Sequence, residues 1–172
     1  MHFPAPLVRG ILVQRYKRFL ADVKLENGET ITAHCANPGS MTGLNVPGSE
    51  VWLSPNQNPK AKLDWRWEMV RVKDRLVGVS TPHPNGIVAE AIEAGLVSEL
   101  TEYTGLRREV RYGKNSRIDI LLESENRSPC YVEVKNVNLR RLDGPNPSAA
   151  EFPDAVTKRG SKHLDELSNM VA

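Results

Sequence analysis

Over its first eighty residues the chain never sustains a helical period. Its β-forming runs are cut at short intervals by glycine, proline and asparagine. "RGILVQRYKRFLADVKL" runs into Asn27-Gly28, "TITAHC" into "ANPGSMTGLNVPG", and "EVWLS" into "PNQNPKAK". "LDWRWEMVRV" then reaches Lys73-Asp74-Arg75 ahead of "LVGVS". Short runs with close-set turns must satisfy their backbone groups on adjacent strands, and tight connections make that pairing antiparallel. Asn27-Gly28 predicts a two-residue hairpin turn. Five or so such strands over residues 1–80 predict a small all-β, OB-like barrel. Trp65 and Trp67 share a strand face with Leu63 and Met69, a stripe that suits the core.

At "TPHPNG" the pattern changes, and a second domain is expected over residues 81–172. Ile87, Ala91, Ile92, Leu96 and Leu100 recur at helical spacing in "IVAEAIEAGLVSEL". Strand patterns follow in "REVRYG", "RIDILLE" and "CYVEVKNV", and a last helix is expected in "PDAVTKRGSKHLDELSNMVA", N-capped by Asp154. Helix, three strands and helix make an α/β unit.

The second and third of those strands carry the chemistry. Asp119 sits between Ile118 and Ile120, on the face of Arg117 and Leu121. Glu133 and Lys135 project from one face of a segment whose other face carries Cys130, Val132 and Val134. If the two strands form a hairpin, Asp119 and Glu133 approach closely enough to share a divalent cation. Oxygen-only ligands suit Mg²⁺, which takes one or two protein carboxylates and completes its shell with water and phosphate. Lys135 beside them would stabilise charge on phosphorus or orient a water. This is the D…E-x-K spacing of restriction-type nucleases, with Glu90 on the preceding helix as a further carboxylate. The bland reading of Glu-x-Lys is a solvated ion pair.

Net charge is only +2, but it is uneven. Residues 1–80 hold 11 Lys and Arg against 7 Asp and Glu, and residues 81–172 hold 12 against 14. In "RYKRF", Arg15, Lys17 and Arg18 alternate with Tyr16 and Phe19; either the rings stack bases or they fill the barrel. Lys60 and Lys62 lie on a loop that reaches phosphates or merely solubilises. Arg107, Arg108, Arg111, Lys114 and Arg117 flank the carboxylates, as a polyanionic substrate would need. Arg159, Lys162 and His163 on the last helix would extend that surface. Cys35 and Cys130 lack zinc-ligand spacing and read as reduced thiols. Neither a signal peptide nor a membrane-spanning run is legible, so a cytoplasmic protein is expected.

The chain resembles the sugar fermentation stimulation protein A family of bacteria and archaea. "PLVRGILVQRYKRFLADV", "AHCANPGSMTGL", "NPKAKLDWRWEMV", "REVRYGKNSRID", "CYVEVKNV" and "FPDAVTKRGSKHLDEL" carry the likeness nearly end to end. The resemblance implies an OB-like domain fused to a PD-(D/E)xK nuclease-like domain, with DNA binding and regulation of sugar, notably maltose, metabolism. It transfers a metal site, for Mg²⁺ or Mn²⁺, onto Asp119, Glu133 and Lys135, and onto Glu90. "CANPGS" stands where the family usually reads "CPNTGS", and "RRLDGPNPSAAEF" is longer than the usual connection. Family members continue past "KHLDEL", so a C-terminal strand and tail are expected to be missing here. Two functions stay open: a DNA-binding regulator without strong sequence specificity, and a Mg²⁺- or Mn²⁺-dependent endonuclease. Oligomeric state is open too, a homodimer included.

Overall fold

A computed structural model describes residues 1–140, 146–147, 149–151 and 158–171. The chain divides into two compact units: His2–Pro82 with Val137–Phe152, and Met1, His83–Asn136 and Pro153–Ala172.

The first unit is built from β1 (Val8–Tyr16), β2 (Leu20–Leu25), β3 (Thr30–His34), β4 (Glu50–Pro55), β5 (Trp65–Val72) and β6 (Arg75–Gly78). β1 pairs with β2 and β4, β2 with β3, and β4 with β5, all antiparallel. β3 and β5 then meet in parallel, through Ala33↔Trp65 and His34↔Arg66, and close a five-stranded barrel. The sequence pattern predicts antiparallel neighbours throughout, which an odd-stranded closed ring cannot satisfy; one parallel seam is required. β6 extends the sheet beyond the barrel as an antiparallel partner of β5. A short antiparallel ribbon, β10 (Leu139–Arg140) with β11 (Ala150–Glu151), belongs to the same unit.

Strand alternation points Leu12, Ala21, Val23, Ala33, Val51, Leu53 and Trp67 inward, all at most 1% exposed. Met41 and Leu44, from the long loop after β3, join this core, with Trp65 packed at its margin. The core reading of the tryptophans is therefore right. A bulge between Leu12 and Gln14 adds twist to β1, as barrel closure needs. At Asn27-Gly28 the turn is one residue longer than expected. Gly28 N–H donates to the Leu25 carbonyl at 3.0 Å and takes φ +87, and Leu25 N–H donates to the Glu29 carbonyl at 2.8 Å, so three residues lie between the last bonded pair, Leu25 and Glu29.

In the second unit α1 (His83–Glu93) precedes a 3₁₀ turn (Ser98–Leu100) and an antiparallel sheet. The sheet comprises β7 (Gly105–Tyr112), β8 (Ser116–Ser124) and β9 (Arg127–Val132), with β8 central. α1 starts four residues before the periodic run, because Pro84 in a first turn loses no needed hydrogen bond. It stops at Glu93, so Leu96 and Leu100 are not on the helix as predicted. Gly95 (φ +69) ends it: Gly95 N–H reaches the Ile92 carbonyl and Leu96 N–H the Ala91 carbonyl, both at 2.9 Å. Ala89 and Ile92 pack on Ile120 and Leu122. A second cluster joins Tyr112, Ile118 and Leu121 to Leu167 of α2 (Lys158–Val171). The expected helix, three strands and helix are thus present. Asp154, the expected N-cap, lies outside the described residues. None of the described helices is long and apolar enough to cross a membrane.

Candidate functional site

Asp119 stands on the central strand β8, half-buried. Its Oδ1 accepts from Asn85 Nδ2 at 2.8 Å, and its Oδ2 accepts from the backbone N–H of Val134 at 2.7 Å. β9 ends at Val132, so Glu133 and Lys135 are not strand residues as predicted. The ladder stops where the Val134 N–H turns to a side-chain carboxylate instead of a neighbouring carbonyl. The expected alternation survives nonetheless: Cys130, Val132 and Val134 join the α1 side of the core, and Tyr131 packs with Tyr112 and Ile118. Lys135 Nζ donates to Glu133 Oε1 at 2.8 Å, with the glutamate side chain 22% exposed and the lysine 52%.

Tyr112 reports how these charges converge. Burial pushes its phenol above the ordinary value, and the negative charge of Glu133 adds the next contribution, with Glu166 and Asp119 behind it. Asp119, Glu133 and Glu166 therefore lie within electrostatic reach of one phenol, although they come from β8, the segment after β9, and α2. Among the described residues, no group of three or more His, Cys, Asp or Glu is arranged to hold a metal ion.

The third predicted carboxylate is Glu90 on α1. Glu90 is exposed and ion-paired with the Met1 amino group at 2.5 Å. The α1 side chain that reaches Asp119 is Asn85, which lies on the stripe of Ala89 and Ile92. Once the helix is known to begin at His83, that spacing is legible. Glu109 also escaped the sequence reading. It lies between the Arg108↔Ile120 and Val110↔Ile118 pairs that flank Asp119, holds φ +55, and accepts a 3.3 Å hydrogen bond from Asn85 Nδ2. A left-handed glutamate within a strand has no sequence signature.

The basic residues divide. Arg111, Lys114 and Arg117 line a surface cleft of about 490 Å³ at the β7–β8 hairpin. Arg117 lies 3.9 Å from Glu109. Arg108 is exposed on β7. Arg107 is bound in a two-point pair to Glu123, at 2.7 and 2.8 Å, so its charge is already balanced. On the barrel, Lys60 and Lys62 lie on an exposed loop ordered by Asn56 and Asn58 side chains. Lys17 and Arg18 form the β1–β2 hairpin tip, at φ +48 and +64. The half-buried Arg15 guanidinium donates to the carbonyls of Arg18, Asn37 and Gly39 at 2.8–3.0 Å, tying two loops together. The side chains of Arg159, Lys162 and His163 lie outside the described set.

Comparison with known proteins now decides the family. Residues 13–79 match the SfsA N-terminal OB domain, and residues 82–172 match the sugar fermentation stimulation protein RE domain. The chain belongs to the sugar fermentation stimulation protein family. Its relatives include sugar fermentation stimulation protein homologs of Paramagnetospirillum magneticum, 61% identical over 99% of this chain and 70% of that one, and of Maricaulis maris, 56% identical over 99% and 71%. Among solved structures, that of Pyrococcus furiosus SfsA in complex with Ca²⁺ superposes with TM-score 0.82 at 24% identity, covering 98% of this chain and 69% of the other. This agrees with the observed fold, including the barrel.

Proposed function

We propose that this family member binds DNA and holds the phosphodiester backbone against a divalent cation carried by Asp119 and Glu133. One observation carries the reading. The Val134 N–H donates to Asp119 Oδ2, which ties the Glu133–Val134–Lys135 segment to the strand that carries Asp119, and Lys135 pairs with Glu133. The Pyrococcus protein is in complex with Ca²⁺, a hard, oxygen-preferring ion, which supports a family affinity for such cations. The donor set fits Mg²⁺ or Mn²⁺, which need few protein carboxylates when water and phosphate complete the shell. Such an ion, when bound, supplies Lewis-acid polarisation of a phosphoryl oxygen and a more acidic water. The protein residues do the rest. Asn85 and the Val134 N–H orient Asp119, Lys135 holds Glu133, and Arg111, Lys114 and Arg117 offset the repulsion between carboxylates and a polyanion. These residue roles support the reading of the second unit as a PD-(D/E)xK nuclease-like domain. The tie to sugar metabolism follows from the family.

Hydrolysis is the second reading, favoured by the Lys135 ammonium beside Glu133. Supercoiled plasmid incubated with the protein and Mn²⁺, beside Asp119→Ala and Glu133→Ala, separates the two, with calorimetric Mn²⁺ titration of each variant in parallel. Weakened Mn²⁺ binding in both variants supports the site. Metal-dependent nicking that both variants lose makes the protein an endonuclease; DNA retention without nicking leaves it a binder. Parental Mn²⁺ affinity in both variants would remove the site altogether.

A further inference from the structure

On the barrel a large apolar ring is left in water beside cations. Phe19 is 45% exposed, at the head of β2. Its ring stacks on His34 of β3, with centroids 6.4 Å apart and planes 16° from parallel, an offset face-to-face geometry. Two backbone contacts fix the pair: Leu20 is in register with His34, and Cys35 N–H donates to the Phe19 carbonyl at 2.8 Å. Burial first, and the nearby Arg66 charge second, hold the His34 ring below its ordinary pKa, so at neutral pH it is an uncharged aromatic surface. Arg66 is in register with His34 across the β3–β5 seam.

The hairpin tip completes the arrangement. Lys17 and Arg18, both exposed, precede Phe19 directly, with their backbone in the left-handed region. That conformation is uncommon for residues with a Cβ. The Arg18 carbonyl is held by Arg15, through Nε at 3.1 Å and Nη2 at 2.8 Å, and the same Nη2 reaches the loop carbonyls of Asn37 and Gly39. The tip is therefore tied down, with its two cations beside the exposed ring.

We infer that the Phe19–His34 stack, flanked by Lys17, Arg18 and Arg66, is a second nucleic-acid site that takes unpaired nucleotides, one base on the Phe19 face and its neighbouring phosphates on the cations. The β2–β3 face and the β1–β2 loop are where OB barrels meet extended polymers. A neutral oligosaccharide also stacks on rings, but it would make no use of the Lys17 and Arg18 charges at the tip; Arg66 already lies 3.6 Å from the Glu68 carboxylate. A polyanion uses both features. The inference deepens the DNA-binding reading and rests on it, while using none of the carboxylate site.

The test is fluorescence anisotropy of a labelled oligodeoxythymidine of about 12 nucleotides with the full chain in EDTA, which silences any metal-dependent contribution. Phe19→Ala should weaken binding about tenfold, and Phe19→Trp should stay within about threefold of the parent, since stacking is what is removed and restored. Lys17→Glu combined with Arg18→Glu should weaken binding and flatten its salt dependence. Thermal melts of each variant establish that the barrel is intact. A fully paired duplex of the same length should bind the parent more weakly than the single strand, and Phe19→Ala should not change duplex binding.

Failure of the parent to bind the single strand overturns the inference. So does a folded Phe19→Ala variant that binds as the parent does, or displacement of the probe by a neutral oligosaccharide. A lost Mn²⁺ effect with the Phe19 effect intact counts against the carboxylate site alone. The reverse pattern counts against the aromatic site alone.

Discussion

The backbone N–H of Val134 donates to Oδ2 of Asp119 at 2.7 Å, so the chain leaving β9 is anchored by a side chain rather than by the sheet. Oδ1 of the same carboxylate accepts from Asn85 at 2.8 Å. Both oxygens accept from N–H donors, so neither position tolerates a donor in exchange.

Asp119→Asn should therefore destabilise the protein, since its NH₂ must confront either the Val134 N–H or the Asn85 amide. The expected loss is about 1–3 kcal/mol. Adding Asn85→Ala removes one opposing donor, so the double variant should recover part of that loss. Chemical denaturation of the four members of the cycle measures it. Strict additivity would mean that the two side chains do not communicate.

Arg15 is a structural tie, and its substitution should register as stability more than as affinity. Arg15→Ala removes several hydrogen bonds to carbonyls, at a cost of about 1–3 kcal/mol. The salt slope of DNA retention should stay near the parent's, while Lys17→Ala lowers it by about 0.7–0.9 if that residue meets one phosphate. A salt slope that falls in Arg15→Ala with an unchanged melt would return Arg15 to the interface.

Asp22 makes barrel stability dependent on pH. Hydrogen bonding from Gln14 holds its carboxyl below the ordinary 3.8, with Thr32 and Tyr16 also donating, against a smaller opposing effect of burial. A folded pKa below the unfolded one gives stability that is present above about pH 4 and lost as pH falls through the folded value. Asp22→Asn should thus cost about 1 kcal/mol near neutral pH and little below about pH 3. Unfolding curves at the two pH values give the difference; a pH-independent gap would sink the assignment.

Gly10 sits where β1 and β2 approach most closely. A Cβ there would lie 2.5 Å from Val23 Cγ1 and 3.0 Å from the Lys24 carbonyl oxygen. Gly10→Ala should cost about 1–3 kcal/mol through overpacking, and Gly10→Ala with Val23→Ala less than the two separately. Melting temperatures of the three variants decide it.

Much of this was readable in advance because strand alternation and turn residues are local. Inward residues such as Leu12, Val23 and Leu53 follow from period two, and Gly28 marks the turn it makes. Asp119 and Glu133 were legible as polar residues on otherwise apolar segments. Asn85 was not, because its partner lies 34 positions away and the helix begins earlier than its apolar period suggests. The ties of Arg15 to three backbone carbonyls were not legible for a related reason: a cation among rings looks the same in sequence whatever acceptors the fold brings to it.

By itself, then, the sequence determined the β-rich first part, the α/β second part and the identity of the acids, because hydrophobic period and turn chemistry act between residues close in the chain. Only the tertiary structure decided the parallel β3–β5 seam, the end of β9 at Val132 and the attachment of Asp119 to Asn85 and Val134. Those depend on which hydrogen-bond donors and acceptors remain unmatched once strands distant in sequence have paired, and that is a property of the closed three-dimensional arrangement.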